Sequence, residues 1–152
     1  MTRWLDDDEQ RAWRGYLHMQ ARLSARLNRQ LQDDSGLSLA DFAVLVELSE
    51  VPGGRTRVLA LADKLQWEKS RLSHQLNRMR GRGLVDRQEC PNDRRGAFVA
   101  LTEQGRETIE AAAPRHVETV REYLFDLITP EQVAALSDIA DRVADRLAED
   151  ED

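Results

Sequence analysis

The chain lacks most of what several common functions require. It has a single cysteine, Cys90, among its 152 residues. One thiol closes no internal disulfide and builds no multi-cysteine zinc site, and it suits a reducing cytoplasm. No apolar run approaches the roughly 20 residues needed to span a bilayer, so a membrane is not an expected partner. The opening residues, Met1-Thr2-Arg3-Trp4-Leu5-Asp6-Asp7-Asp8, hold no apolar signal core. There is no glycine-rich phosphate loop, no His-Glu-x-x-His and no paired-cysteine motif. Ser73 and His74 are neighbours, about 100° apart on a helix, and form no nucleophile–base pair. His18 and His116 have no cysteine or histidine partner at metal-ligand spacing. Catalysis, a metal and a cofactor are therefore not expected.

What is present is charge, unevenly placed. Charged residues make up 33% and apolar ones 41%, enough for a core in a single domain. The net charge of −6 argues at first against a nucleic acid. Between Arg55 and Arg106, however, twelve Lys and Arg face six acids, a balance of +6 that leaves −12 for the rest. Such a chain draws a polyanion to its middle and repels it from its ends.

Hydrophobic periodicity predicts a long helix over about 7–33, with Trp13, Tyr16, Leu17, Leu23, Leu27 and Leu31 on one stripe. Part of that stripe needs a partner beyond a small domain. Ser38-x-x-Asp41 resembles a capping box and starts a second helix carrying Leu39, Phe42, Leu45, Val46 and Leu48. Pro52-Gly53-Gly54 ends it. A short helix over 57–65 turns Leu59, Ala62 and Leu65 inward. Gln66-Trp67-Glu68 then leads tightly into a helix over 69–82. Gly83 is its expected left-handed cap and Leu84 the hydrophobic follower. Residues 85–90 and 97–101 read as two strands around a basic tip, Asn92-Asp93-Arg94-Arg95-Gly96. A long helix from Thr102, kinked at Pro114, and another after Thr129-Pro130-Glu131-Gln132 complete the chain.

The order predicts a mainly α fold with a small β-hairpin wing, a winged helix-turn-helix flanked by long N- and C-terminal dimerisation helices. The whole chain, 1–152, is one domain, with a DNA-binding lobe over 38–105 and helical dimerisation regions over 1–37 and 106–152. A second copy covering the amphipathic flanks gives a symmetric dimer with two reading helices roughly one DNA turn apart. On a wheel of 69–82, Leu72, Leu76 and Met79 fix the buried side, with Ser70, Arg71, His74, Asn77 and Arg78 opposite. Ser70, Arg71 and His74, near the helix start, reach base edges. Lys69, Arg78 and Arg80 suit phosphates. Arg94 and Arg95 suit a narrow minor groove, with Asp93 holding an arginine in place.

Arg87-x-x-x-Pro91-x-Asp93-x-Arg95 followed by Leu101-Thr102-x-x-Gly105 resembles the wing signature of the MarR family of bacterial transcriptional regulators. Gly83-Leu84-Val85 is similar to that family's helix-to-wing junction. The resemblance runs over nearly the whole chain. It implies a homodimer on palindromic double-stranded DNA, usually as a repressor. It also implies that Arg95 enters the minor groove and that Ser70, Arg71, Ser73 and His74 hold the major-groove positions. Glu68 and His74 depart from the residues the family often carries there. The family often releases DNA on binding a small aromatic or lipophilic effector, which Trp13, Tyr16, Leu17, Phe42 and Leu45 would line here. Ordinary core packing is the plainer reading of those five, and an inert thiol the plainer reading of Cys90. The rival function is a winged-helix protein-interaction module without DNA binding. Such a module has no need of Arg71, Arg78, Arg94 and Arg95 on one surface.

Overall fold

A computed structural model of the chain describes residues 1–89 and 96–151. They form two units, Met1–His116 and Val117–Asp152.

The first unit begins with α1, Asp7–Ser35, about 43 Å long at 1.5 Å per residue. Its start is fixed by a reciprocal box. The Asp6 carboxylate accepts from the Glu9 N–H at 2.8 Å, and the Glu9 carboxylate accepts from the Asp6 N–H at 2.9 Å. Gly36, at φ 66°, ends it in the left-handed conformation. Only Gln30 and Leu31 of α1 are buried, so the helix meets the core at its last turns alone. There the Asn28 side chain accepts from the Leu39 N–H at 2.9 Å.

Ser38 and Asp41 form the expected capping box at the head of α2, Leu39–Glu50. This helix buries Phe42, Val44, Leu45 and Leu48. A single 3-10 turn over Pro52–Gly54 leads into β1, Arg55–Arg57. This strand was not foreseen, and it corrects the helix expected over 57–65. The helix α3 is Val58–Leu65, and it buries Val58, Leu61 and Ala62. Leu59, expected inward, is 46% exposed. The cause is the strand. Arg57 pairs with Phe98, and the Val58 N–H donates to the Ala97 carbonyl at 3.0 Å. Val58 thereby becomes the first inward position, and Leu61 and Ala62 follow at i+3 and i+4.

Gln66, at φ 55°, makes the turn into α4, Lys69–Gly81. The helix closes on a Schellman motif. Gly83 at φ 77° donates to the Arg80 carbonyl at 3.0 Å, and Leu84 donates to the Met79 carbonyl at 3.1 Å. The strands β2, Val85–Gln88, and β3, Phe98–Leu101, follow. The antiparallel sheet has the order β1-β3-β2. Buried side chains from α2, α3, α4, β2 and β3 share one core with Leu31, Ile109 and Ala112.

The Leu101-Thr102-x-x-Gly105 motif acquires a physical reason at this point. The Thr102 hydroxyl donates to the Gly83 carbonyl at 2.7 Å and accepts from the Gly105 N–H at 2.9 Å. A Cβ at Gly105 would run into the Leu84 carbonyl oxygen. The head of α5, Glu103–Tyr123, therefore rests against the α4–β2 junction. The helix continues through Pro114 to Tyr123, and Phe125–Leu127 form a separate 3-10 turn.

The second unit ends with α6, Pro130–Glu149, started by a Thr129–Gln132 capping box and Pro130 in the first turn. No residue of α6 is buried. Leu136, Ile139, Val143 and Leu147 stand exposed at spacings of three and four.

Candidate nucleic-acid interface

Burial sorts α4 into two sides. Leu72, Gln75, Leu76 and Met79 face the core. Lys69, Ser70, Arg71, His74, Asn77 and Arg78 are exposed on the other side, and Ser73 is half-buried at its margin. The turn residues position this helix. Trp67 donates its N–H to the Ala62 carbonyl at 3.0 Å and packs its ring on the core. The Arg71 guanidinium lies over that ring, 4.2 Å from its centroid. The stack supports a cation by the ring's quadrupole and limits where the long side chain can go. Glu68 makes no side-chain capping bond, in keeping with its departure from the usual capping residues.

Two features escaped the sequence reading. One is a buried polar network. Asp41 and Gln75 are 5% and 4% exposed. The Gln75 amide nitrogen donates to Asp41 Oδ1. Arg82 donates to Asp41 Oδ2 at 2.7 Å and to the Gly36 carbonyl at 2.7 Å. Arg78 donates to the Gln75 amide oxygen at 2.7 Å. A polar residue on the Leu72–Leu76–Met79 side of the wheel was the available signal. The other feature is a pair of cations at the base of the wing. Arg55 and Arg57 share one face of β1 and lie 3.9 and 4.4 Å from the Phe98 ring centroid. Their i, i+2 spacing in a strand was the signal.

The expected wing-tip residues Asp93, Arg94 and Arg95, and Cys90 beside them, lie outside the described residues. The wing's base is defined by the Gln88–Phe98 pairing and by an Arg87–Glu89 ion pair at 2.9 Å.

One chain does not gather the five expected effector-lining residues. Trp13, Tyr16 and Leu17 are 54%, 49% and 42% exposed on α1, with Trp13 and Tyr16 stacked at 5.8 Å. Phe42 and Leu45 are core residues of α2, and Phe42 packs on His116 at 4.2 Å. Asn28 accepts from the head of α2, and Leu17 stands eleven residues earlier, roughly 16 Å up the helix. A cavity of about 330 Å³ does lie against α2 and α3, lined by Glu47, Glu50, Val51, Thr56, Leu61 and Lys64 among others. None of the five borders it. Burial of His116 holds its imidazole below the usual pKa of 6.5. Among the described residues no group of three or more His, Cys, Asp or Glu could hold a metal, and no helix is long and apolar enough to cross a membrane.

Comparison with known proteins agrees with this geometry. The MarR family profile matches residues 35–96. The transcriptional regulator HosA of Escherichia coli O111:H- is 34% identical over 109 residues, covering 72% of this chain and 77% of that protein. Among solved structures, AbsC, a MarR family transcriptional regulator from Streptomyces coelicolor, is 44% identical with a TM-score of 0.89. That match covers 97% of this chain and 99% of the other. Sco3205, a MarR family transcriptional regulator from the same organism solved in complex with DNA, is 41% identical with a TM-score of 0.91. It covers 97% of this chain and 92% of that one. The chain thus belongs to the MarR family, whose members are DNA-binding transcriptional regulators and not enzymes.

Proposed function

We propose that the chain acts in the cytoplasm as a homodimeric repressor that holds a palindromic operator with two copies of α4 and two wings. The observation that carries this reading is the sorting of α4, apolar toward the core and cationic or hydrogen-bonding toward solvent. In it Ser70, Arg71, Ser73 and His74 meet base edges in the major groove, with Asn77 beside them. Lys69 and Arg78 meet phosphates. Arg94 and Arg95 reach the flanking minor groove, with Arg95 inserted and Asp93 bracing an arginine. The charge asymmetry supports the same contact, since the cations concentrate between Arg55 and Arg106.

The division of labour is a reading lobe over 38–105 and dimerisation segments over 1–37 and 106–152. The exposed apolar side chains support it. Trp4, Trp13, Tyr16 and Leu17 near the N-terminus, and Leu136, Ile139, Val143 and Leu147 on α6, are left in solvent by a single chain. A surface of that kind favours burial against a second copy. Sco3205 in complex with DNA, at 41% identity, supports duplex DNA as the partner. Release by a small aromatic or lipophilic effector completes the reading, with Trp13 and Tyr16 as its aromatic contacts where a second copy closes over them.

The test is selection of bound fragments from the protein's own genome, followed by gel shifts at two salt concentrations. The expected result is two chains per fragment and an affinity that falls steeply with salt, because each neutralised phosphate releases counterions. Salt-insensitive binding, or one chain per site, would contradict the reading.

A further inference from the structure

We infer that Gln75 is a positioning residue for DNA binding: anchored on the buried carboxylate of Asp41, it holds the Arg78 guanidinium at the DNA-facing surface of α4. The inference rests on the reading of Arg78 as a phosphate contact.

Hydrogen-bond polarity fixes the arrangement. Both Asp41 and Gln75 are buried, so each polar atom needs a partner. Asp41 Oδ2 is taken by two donors, the Ser38 N–H at 2.9 Å and Arg82 at 2.7 Å. Arg82 is itself fixed at its other nitrogen by the Gly36 carbonyl. The carboxylate therefore cannot rotate freely, and Oδ1 is left facing Gln75. An ionised carboxylate only accepts. The Gln75 amide must turn its NH2 inward, which aims its oxygen outward. That oxygen accepts from Arg78 at 2.7 Å. An arginine on an exposed helix face ordinarily samples many rotamers. Here one of its five donors is tied by a buried amide whose orientation is set from below. Reaching the phosphate then costs less side-chain entropy, because part of the ordering is done in the free protein.

The test exploits the same polarity. Asp41→Asn is nearly isosteric. Its oxygen stays with the two donors at the Oδ2 position, so its NH2 faces Gln75. The Gln75 amide must flip, presenting its own NH2 to Arg78 and removing the acceptor. Gln75→Met removes the relay by a different route. Both are compared with Arg78→Ala on an operator fragment recovered by genomic selection, at temperatures well below each variant's melting point. Arg78→Ala removes one phosphate contact from each of the two copies, so it is expected to weaken binding several-fold and to lower the slope of log affinity against log salt by about 2. Asp41→Asn and Gln75→Met are expected to weaken binding in the same direction, and neither should add a further loss in the Arg78→Ala background. A merely structural role would lower the melting temperature without this non-additivity.

Should Arg78→Ala act and both relay variants bind like wild type, or should their losses add to that of Arg78→Ala, the relay is refuted while the Arg78 contact stands. Should Arg78→Ala itself change neither affinity nor slope, the phosphate-contact reading falls and the inference falls with it. Because the two relay variants perturb different residues, loss of folding in one leaves the other to decide.

Discussion

Gly105→Ala should destabilise the reading lobe although it lies in a helix, where alanine is ordinarily preferred. The Cβ would collide with the Leu84 carbonyl oxygen and sit 2.8 Å from Leu101 Cδ1. The first obstacle is backbone, so no side-chain rotamer relieves it. The head of α5 must move away from the α4–β2 junction, straining the bonds from the Thr102 hydroxyl to the Gly83 carbonyl and from the Thr102 N–H to the Leu84 carbonyl. Overpacking costs about 1–3 kcal/mol, and a strained pair of hydrogen bonds about 1–2 more. Helix propensity returns at most about 1 kcal/mol. The net loss is about 1–4 kcal/mol, or roughly 0.5–2 M in the urea midpoint for a small domain. Gly81→Ala is the control, since a Cβ there meets nothing within 4 Å and Gly81 is in α4 without a positive φ. It should be neutral or stabilising by up to about 1 kcal/mol. Urea titrations followed by circular dichroism compare the two. Equal midpoints would refute the close-approach argument.

Arg71→Ala should cost about 1–3 kcal/mol per half-site of the selected operator and relax base choice there, measured by fluorescence anisotropy on matched and mutated duplexes. Arg95→Ala should weaken binding mainly on operators with A·T-rich flanks, read by the same assay with the flanks exchanged. Ile139→Asp places a charge on the exposed apolar stripe of α6. It should shift the chain toward monomer in sedimentation and abolish operator binding; an unchanged dimer would remove α6 from the interface. Burial lowers the folded pKa of His116, so the unfolded chain binds the proton more readily. Stability from this group is full above pH 6.5 and is lost as pH falls through the lower folded pKa. His116→Gln should flatten that part of the stability–pH curve, measured by thermal melts.

Much of the fold was legible because its signals are local. The Ser38–Asp41 and Thr129–Gln132 boxes, and Gly83 with Leu84, mark helix ends by hydrogen bonds that span only a few residues. Strand β1 was not legible, because three residues carry no periodicity and the pairing partner lies more than forty positions away. That long-range pairing also set the register of α3 and turned Leu59 outward. The exposed side of α4 followed from the wheel alone. Its support did not, since the Asp41–Gln75 contact joins residues 34 apart and depends on the packing of α2 against α4. In a single chain Trp13, Tyr16 and Leu17 stand in solvent while Phe42 lies in the core, because an apolar stripe says nothing of how far along α1 the core extends.

In the proposed complex two copies of α4 read two symmetric half-sites. A hydroxyl-radical footprint on both strands of a selected operator tests it most directly. The account predicts two equivalent protected segments centred about 10–10.5 base pairs apart, related by the operator's twofold axis and flanked by minor-groove protection from the wings. A single asymmetric footprint, or protection spread evenly without a dyad, would contradict it.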